Sequence, residues 1–317
     1  MLLSELTSRL YSAASAEEFS VFCDNPYVVV EADEALALPP HRPNCPVIAL
    51  TEDPEAPALA DMVVSNKREA ITITDAITEN PVASAVLVQL LRYNEGVSID
   101  QRLFAESLAY STLQHGNEFQ RWLSTRERSK PSESTNGPAV AVERIDDELF
   151  LTLNRPEKRN AYSAEMRDAL CDGLSLVAYD LGIRKAILRG AGSCFSAGGD
   201  LDEFGEATDA GLAHLSRVTR SAGSLMASAH DRIEVHVHGA CIGAGIELPA
   251  FAHRVIAQRN AFFQLPEVSM GLIPGAGGTA SILPRIGRHR MAAWALTGVR
   301  IDAETAMLWG LVDELAD

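Results

Sequence analysis

Short apolar runs separated by irregular polar segments characterise the first part of the chain. Three of them have the length and the side chains of buried strands: 26–30, 46–50 and 61–65. Apolar residues recur at helical spacing over 2–14, and the proline-rich segment 36–46 is expected to be loop. We therefore expect a small α/β module over residues 1–75. It contains no catalytic constellation, and a structural or regulatory role is the simplest interpretation.

From residue 76 to residue 128 the apolar positions recur at helical spacing instead. Three helices are expected, over residues 81–92, 98–113 and 118–126. Proline stands in the first turn of the first helix, and serine caps the second. The second helix is expected to place its apolar residues on one side: Leu103, Phe104, Leu108 and Leu113. Three successive helices with short connections need a surface on which to pack.

A polar segment rich in serine and proline, residues 129–138, is the clearest linker in the chain. We place a domain boundary there. Beyond it, over residues 139–317, strand and helix patterns alternate, which is typical of an α/β fold. The expected elements are a hairpin at 140–153, a helix capped by Ser163, strands at 185–190, 232–237 and 254–257, and helices at 287–296 and 303–309.

Turns of small residues join strands to helices in this second part, at 194–201, 238–248 and 271–279. Such a turn presents free backbone N–H groups at the helix N-terminus, which can hold a phosphate or stabilise an oxyanion. Glycine and alanine also let a ligand approach the backbone closely. Taken alone, the stretch 238–248 is explained equally well as a tight turn with an exposed Glu247.

The composition narrows the class of protein and of partner. With 317 residues, 47% of them hydrophobic, the chain can fold around a sizeable core. No apolar run reaches the roughly 18 residues of a membrane span. The N-terminus lacks the basic region of a signal peptide. The formal net charge of −16 argues against nucleic acid and anionic membranes as partners, because both need a cationic face.

The five cysteines are an odd number and show no CxxC spacing. They are expected to be reduced thiols in a cytoplasmic protein rather than a disulfide framework or a zinc site. The histidines show no spacing typical of a catalytic triad or a metal site. We therefore expect no metal.

Four motifs in order carry a family resemblance. They lie at 153–161, 195–201, 238–248 and 264–279. In their order and spacing they resemble the crotonase (enoyl-CoA hydratase/isomerase) superfamily, over about residues 139–317. Each motif alone is a weak signal, and the four together are specific. The resemblance implies an α/β fold with a spiral, ClpP-like core of ββα repeats plus helices, preceded here by the small N-terminal α/β module.

The resemblance also implies site residues. In this family two backbone N–H groups hold the thioester carbonyl of an acyl-CoA; by position they are those of Gly199 and Ala244, where the family usually has glycine at the second place. The hydratases of the family use two glutamates to bind a water and handle its proton, and these correspond to Glu247 and Glu267. The alternative for each glutamate is an exposed surface carboxylate.

The implied function is a 2-enoyl-CoA hydratase that works through an enolate. Isomerase, hydrolase or decarboxylase chemistry of the same superfamily is the nearest alternative. A non-catalytic crotonase-fold subunit for binding or assembly is an alternative of another class. The paired glutamates favour the enzyme.

The substrate would bring its own coenzyme A, so no tightly bound cofactor is expected. The family uses the basic loop after its early strand for the nucleotide end of CoA, which suggests Lys158 and Arg159, and main-chain atoms near the adenine, which suggests Ala197. Loop cations of this kind are as often simply solvated. The resemblance further implies a homotrimer or a dimer of trimers.

The chain departs from the family pattern at its end. Family members continue with several helices beyond the position of residues 310–314, and these cover the active site and build the trimer. The block 81–128 resembles that tail, with Glu106 in its long helix. We therefore expect a circular permutation that places the lid helices before the core. On this analogy Phe119, Trp122 and Arg126 would border the pocket of the same or a neighbouring subunit. The alternative is a truncated chain with an unrelated N-terminal block.

Overall fold

A computed structural model describes residues 19–31, 43–51, 60–126 and 137–316. The helix expected over 2–14 lies outside the described residues, as do most of the proline-rich loop and residues 129–136 of the expected linker. No helix in the described segments combines the length and apolar character needed to cross a membrane.

The N-terminal module contains a parallel sheet of three short strands, as predicted. These are β1 (Val28–Glu31), β2 (Val47–Leu50) and β3 (Met62–Val64), hydrogen-bonded in that order. A helix that the sequence analysis did not predict follows, α1 (Lys67–Glu79), capped by the Asn66 side chain. This helix runs across the domain boundary expected at residues 75–76, so that boundary lies inside an element rather than between two.

The three predicted helices of the next block are present. They are α2 (Pro81–Asn94), α3 (Ile99–Gln114) and α4 (Asn117–Ser124). Ser98 and Gln101 form a reciprocal capping box at the start of α3, which satisfies amide groups that have no partner within the helix.

Helix α3 does not bury the face that its apolar residues predict. Phe104 and Leu108 are 53% and 44% exposed, and the buried side chains of α3 are mostly polar: Glu106, Ser107, Tyr110, Ser111 and Leu113. The expectation of one buried apolar side was therefore wrong. The physical reason is that α3 covers a loop whose backbone N–H groups need acceptors.

The second part of the chain is built on a six-stranded sheet, in the spatial order β12-β9-β7-β6-β5-β4. Only the predicted hairpin of β4 and β5 is antiparallel within it. Its strands are β4 (Val140–Ile145), β5 (Glu148–Leu153), β6 (Lys185–Gly190), β7 (Ile233–Val237), β9 (Arg254–Gln258) and β12 (Glu314–Ala316). Helix α5 (Ala164–Tyr179) is capped by Ser163 as predicted and packs on the hairpin.

The second part of the chain also contains a three-stranded sheet. It consists of β8 (Ala240–Ile242), β10 (Phe262–Gln264) and β11 (Ile301–Asp302), with β10 in the middle. The sequence analysis placed one turn between β7 and the next helix. The structure inserts β8 there, so the chain changes sheets before α8 (Ala244–Glu247) begins.

The remaining helices complete the second part. They are α6 (Ala210–Thr219), α7 (Ala222–Ser228), α9 (Gly278–Ser281), α10 (Leu283–Ile286), α11 (Arg288–Thr297) and α12 (Ala303–Trp309). The predicted helices at 287–296 and 303–309 are confirmed by α11 and α12.

A buried ion network joins the three parts of the chain. The fully buried Asp61 carboxylate, at the start of β3, binds Arg92 of α2 at 2.5 Å and Arg288 of α11 at 3.1 Å. It also accepts the N–H of Val47 at 2.8 Å. Removal of one partner from such a buried network is strongly destabilising, because it leaves a charge without compensation. The N-terminal module, the helical block and the second part of the chain are therefore linked through the Asp61 carboxylate.

Candidate active site

A cavity of about 790 Å³ lies between the N-terminal helices and the second part of the chain. Its wall includes all four residues that the resemblance singled out: Gly199, Ala244, Glu247 and Glu267. The structure therefore brings together two small-residue turns and two carboxylates that lie far apart in sequence.

The turn at Gly199 is held by pairing with Tyr162. The Tyr162 N–H donates to the Gly198 carbonyl at 2.7 Å, and the Asp200 N–H donates to the Tyr162 carbonyl at 3.2 Å. A Cβ on Gly199 would come within 2.9 Å of the Phe204 ring, which explains why glycine stands here. Across the described segments, the Gly199 N–H finds no protein acceptor.

The turn at Ala244 begins helix α8. Gly243 precedes it with a φ of +49°, a conformation that favours glycine. The Gly243 N–H donates to Gln264 of β10 at 2.9 Å, and its carbonyl accepts the Glu247 N–H at 2.9 Å. Among the residues that the structure covers, the Ala244 N–H also lacks an acceptor. Two unpaired donors thus line one cavity.

The two glutamates converge beside Gly243. A Cβ built on that glycine would lie 3.7 Å from Glu247 Oε1 and would collide with Glu267 Oε1. Both side chains are buried, with exposures of 2% and 9%. The alternative of exposed surface carboxylates is therefore wrong.

The two carboxylates differ in their hydrogen bonds. Glu247 Oε2 accepts the N–H groups of Ala276 and Gly278 at 2.8 and 2.9 Å. Glu267 begins a turn of 3₁₀ helix, and its buried Oε2 accepts no hydrogen bond from any described residue. Hydrogen-bond donors stabilise an ionised carboxylate, so the two sites favour different protonation states.

Burial and the charges of neighbouring carboxylates raise the pKa values of both glutamates. Burial raises the pKa of Glu267 to about 8, and the charge of Glu106 acts in the same direction. Burial also raises the pKa of Glu247 well above its ordinary value, with the charges of Glu267 and Glu106 adding to the effect. The N–H groups on Glu247 oppose this rise. The pair therefore holds at least one proton near neutral pH.

A third buried carboxylate, Glu106 of α3, faces the same cavity. It accepts the N–H of Gly277 at 2.6 Å and both the N–H and the hydroxyl of Thr279, at 2.8 and 2.6 Å. From the sequence, Glu106 is expected only as the glutamate of the long lid helix, with no role assigned to it. The signal that could have found it is a polar stripe at helical spacing along α3: Glu106, Ser107, Tyr110, Ser111 and Gln114.

Aromatic and cationic side chains also contribute to the wall. The ring of Phe204, above Gly199, packs against Phe119 and Trp122 of α4 with ring centroids 6.3 and 6.0 Å away. Elsewhere in the cavity, the Arg217 guanidinium lies 4.6 Å from the centre of the Tyr110 ring. Phe119 and Trp122, predicted to border the pocket, do not line the cavity themselves; they contact its wall through Phe204 of the same chain.

The residues suggested for CoA lie behind the wall rather than in it. The Lys158 ammonium donates to Asp200, a wall residue, at 3.1 Å, and this bond raises the pKa of Lys158. The Arg159 carbonyl accepts the Ala197 N–H at 2.9 Å, which ties the basic loop to the turn before Gly199. Among the residues described, none of these three lines the cavity.

The structure brings together one group with metal-ligand chemistry that the sequence spacing did not show. Ligand atoms of His230, Asp231 and His253 lie within 4.8 Å of one another on the surface. Arg232 and Arg254 share a shallow hollow with Asp231 and His253. Their charges oppose binding of a divalent cation, and we assign no metal to this group.

Comparison with known proteins agrees with the resemblance. The family model for enoyl-CoA hydratase/isomerase matches residues 149–316. The chain is 34% identical to the 2,3-dehydroadipyl-CoA hydratase of Escherichia coli K12, covering 56% of this chain and 68% of that protein. It is 38% identical to the 1,2-epoxyphenylacetyl-CoA isomerase of the same organism, covering 53% and 66%. The chain thus spans about two thirds of the length of these relatives.

Solved structures give the same result. An enoyl-CoA hydratase from Thermoplasma volcanium is 32% identical with a TM-score of 0.53, over 57% of this chain and 73% of that one. An enoyl-CoA hydratase/isomerase from Mycobacterium paratuberculosis is 31% identical with a TM-score of 0.53, over 57% and 74%. The family model does not extend over helices α1–α4. From residue 149 onward the match is continuous, and the chain belongs to the enoyl-CoA hydratase/isomerase (crotonase) family.

Proposed function

We propose that this protein is an acyl-CoA-processing enzyme that adds water across the α,β double bond of a 2-enoyl-CoA. One observation carries the proposal. Glu247 and Glu267 converge beside Gly243 in the same cavity as the unpaired N–H groups of Gly199 and Ala244. The oxygen of an enolate is stabilised by two hydrogen-bond donors. Hydration also requires one group that accepts a proton and one that donates a proton.

The N–H groups of Gly199 and Ala244 are proposed to form an oxyanion hole for the thioester oxygen. As the double bond accepts the nucleophile, negative charge develops on that oxygen. Donors held in place beforehand stabilise such charge, typically by about 3–4 kcal/mol each. Ala244 supplies the same N–H that glycine would.

The two glutamates are proposed to divide the proton transfers. Glu247 acts in its ionised form, which its two N–H donors stabilise against the effect of burial, and takes a proton from water as the water oxygen bonds to Cβ. The π electrons move toward the thioester and give the enolate. Glu267, whose Oε2 accepts no hydrogen bond among the described residues, starts protonated and delivers its proton to Cα. A raised pKa keeps such an acid protonated at neutral pH.

Hydration of crotonyl-CoA and of longer 2-enoyl-CoAs tests the proposal through loss of the absorbance of the conjugated thioester. We expect Glu247→Gln and Glu267→Gln each to lower kcat by about 100- to 10,000-fold, because each removes one proton-transfer group. Glu143→Gln, on the exposed face of β4, is the matched control and is expected to keep full activity. Unchanged turnover in both site variants would contradict the hydratase mechanism.

The products formed from CoA thioesters separate the alternative functions. An isomerase, the class of one E. coli relative, would convert a 3-enoyl-CoA into the conjugated 2-enoyl form without hydration. A hydrolase would release a free CoA thiol. A non-catalytic subunit would bind CoA thioesters and turn none of them over.

For the CoA moiety we propose that Lys158, Arg159 and main-chain atoms of Ala197 meet the nucleotide end, with no tightly bound cofactor. Lys158 would then exchange Asp200 for a phosphate. Lys158→Ala is expected to raise KM more than it lowers kcat. The expected homotrimer, or dimer of trimers, would be seen directly by sedimentation velocity.

A further inference from the structure

We propose that Glu106 is a positioning residue for this reaction: from helix α3 it holds the loop 275–279 and thereby fixes the carboxylate of Glu247. The inference rests on the proposed function in one respect only, that Glu247 takes part in the chemistry. We call the hold of Glu106 on the loop 275–279 the clamp, and it follows from the hydrogen bonds alone.

Consecutive amides of the loop hold two different carboxylates in alternation. Ala276 and Gly278 donate to Glu247 at 2.8 and 2.9 Å. Gly277 and Thr279 donate to Glu106 at 2.6 and 2.8 Å. The loop is therefore hydrogen-bonded to a carboxylate on each side. If the amides that donate to Glu106 move, the neighbouring amides that donate to Glu247 must move with them.

Further contacts of the loop come from the N-terminal helices. The Tyr110 ring of α3 packs on Gly275. The Asn94 side chain of α2 donates to the Thr279 carbonyl at 3.2 Å. The loop is thus seated against the helical block, and Glu106 supplies the hydrogen bonds at its centre.

The geometry requires an acceptor with two oxygens. One carboxylate oxygen of Glu106 meets the Gly277 N–H and the other meets the N–H and hydroxyl of Thr279. A glutamine would turn its NH₂ group toward one of these donors, leaving a buried amide unpaired. An aspartate keeps both oxygens but is one methylene shorter.

Glu106→Gln tests the clamp through kinetics. We expect kcat to fall about 100-fold, the effect of a displacement of about 1 Å at a reacting group, with KM nearly unchanged. Glu106→Asp is expected to recover part of that loss. The matched control is Glu118→Gln of α4, because the buried Glu118 carboxylate also accepts two backbone N–H groups, those of Val82 and Ala83.

A pH profile separates positioning from general destabilisation. The titratable and charged groups that face the glutamate pair include Glu106 and Tyr110 of α3, Arg217 of α6 and Tyr162 before α5. Burial raises the pKa of Glu106 to about 7, so this carboxylate is charged above that pH, where its repulsion raises the pKa of both Glu247 and Glu267. We expect the profile of Glu106→Gln to move to lower pH on its alkaline side, while that of Glu118→Gln stays in place although its stability falls.

Hydrogen exchange gives a readout that does not depend on activity. We expect the amides of 276–279 to exchange faster in Glu106→Gln than in the wild type or in Glu118→Gln. If the wild type turns over no enoyl-CoA, the proposed function fails, and this exchange result still decides the clamp. Unchanged exchange overturns the inference, and so does faster exchange with an unaltered kcat and pH profile.

Discussion

Gly243 is the residue at which backbone geometry and the two glutamates depend on one another most directly. Its φ of +49° lets the chain turn from β8 into α8. This turn leaves the Ala244 N–H without a hydrogen-bond acceptor among the described residues. The same turn leaves no room for a side chain, because a Cβ would collide with Glu267 Oε1. One residue thus shapes both the proposed oxyanion hole and the proposed acid.

We expect Gly243→Ala to lower kcat by about 100-fold, because the methyl group displaces Glu267 and strains the turn. The variant is compared with Gly96→Ala, where a Cβ would meet nothing within 4 Å. Steady-state kinetics and thermal unfolding of both variants check the prediction. A fully active Gly243→Ala would show that Glu267 does not need its present position.

The raised pKa of Glu267 predicts a pH-dependent stability. The folded protein holds this proton up to about pH 8, whereas the unfolded chain loses it near the ordinary value of 4.5. The free energy of unfolding therefore falls as pH rises through this window. Glu267→Gln is neutral at every pH, so its stability relative to the wild type should grow across the window. Urea denaturation below and above the window measures the difference, and an equal difference at both ends contradicts the prediction.

The four site residues were identifiable from the sequence because each lies in a local motif with a recognisable order. Their roles stay predictions until the kinetics are done. Glu106 was not identifiable in this way, because its partners Gly277 and Thr279 lie 171 and 173 residues further along the chain. No local pattern in α3 indicates which loop will need its carboxylate.

At the scale of elements, prediction succeeded where one local period dominates. The hairpin β4–β5 and helix α5 follow directly from their alternation and from the Ser163 cap. Prediction failed where contacts with distant parts of the chain decide which residues are buried or form a strand. Helix α3 exposes Phe104 and Leu108 because the surface beneath it is polar backbone. Strand β8 is three residues long and exists because β10 pairs with it.

For the whole molecule, the expected circular permutation stays a prediction, and the docking of the block supports it. Helix α3 lines the cavity, and α4 packs on the wall residue Phe204, whereas the family model matches only residues 149–316. Glu106, Asn94 and Asp61 each make bonds across that junction. These bonds are non-covalent and buried.

We therefore expect the two parts to stay together after the covalent connection is cut. A site-specific protease sequence placed within residues 129–136 allows the purified protein to be nicked. The fragments should co-elute in size-exclusion chromatography and keep the enoyl-CoA activity, because the buried contacts hold them. Uncut protein carrying the same insertion is the control. Separation of the fragments under native conditions would contradict this prediction.

The polar face of α3 has a consequence for the order of folding. A nascent chain emerges N-terminus first, so α3 is made long before the loop 275–279 that receives Glu106. Until then its buried face offers carboxylate and hydroxyl groups that bind water as readily as protein, and little drives it to pack. Contacts this distant in sequence also close slowly. We therefore expect α3 to reach its final position late in folding, after the loop 275–279 has formed.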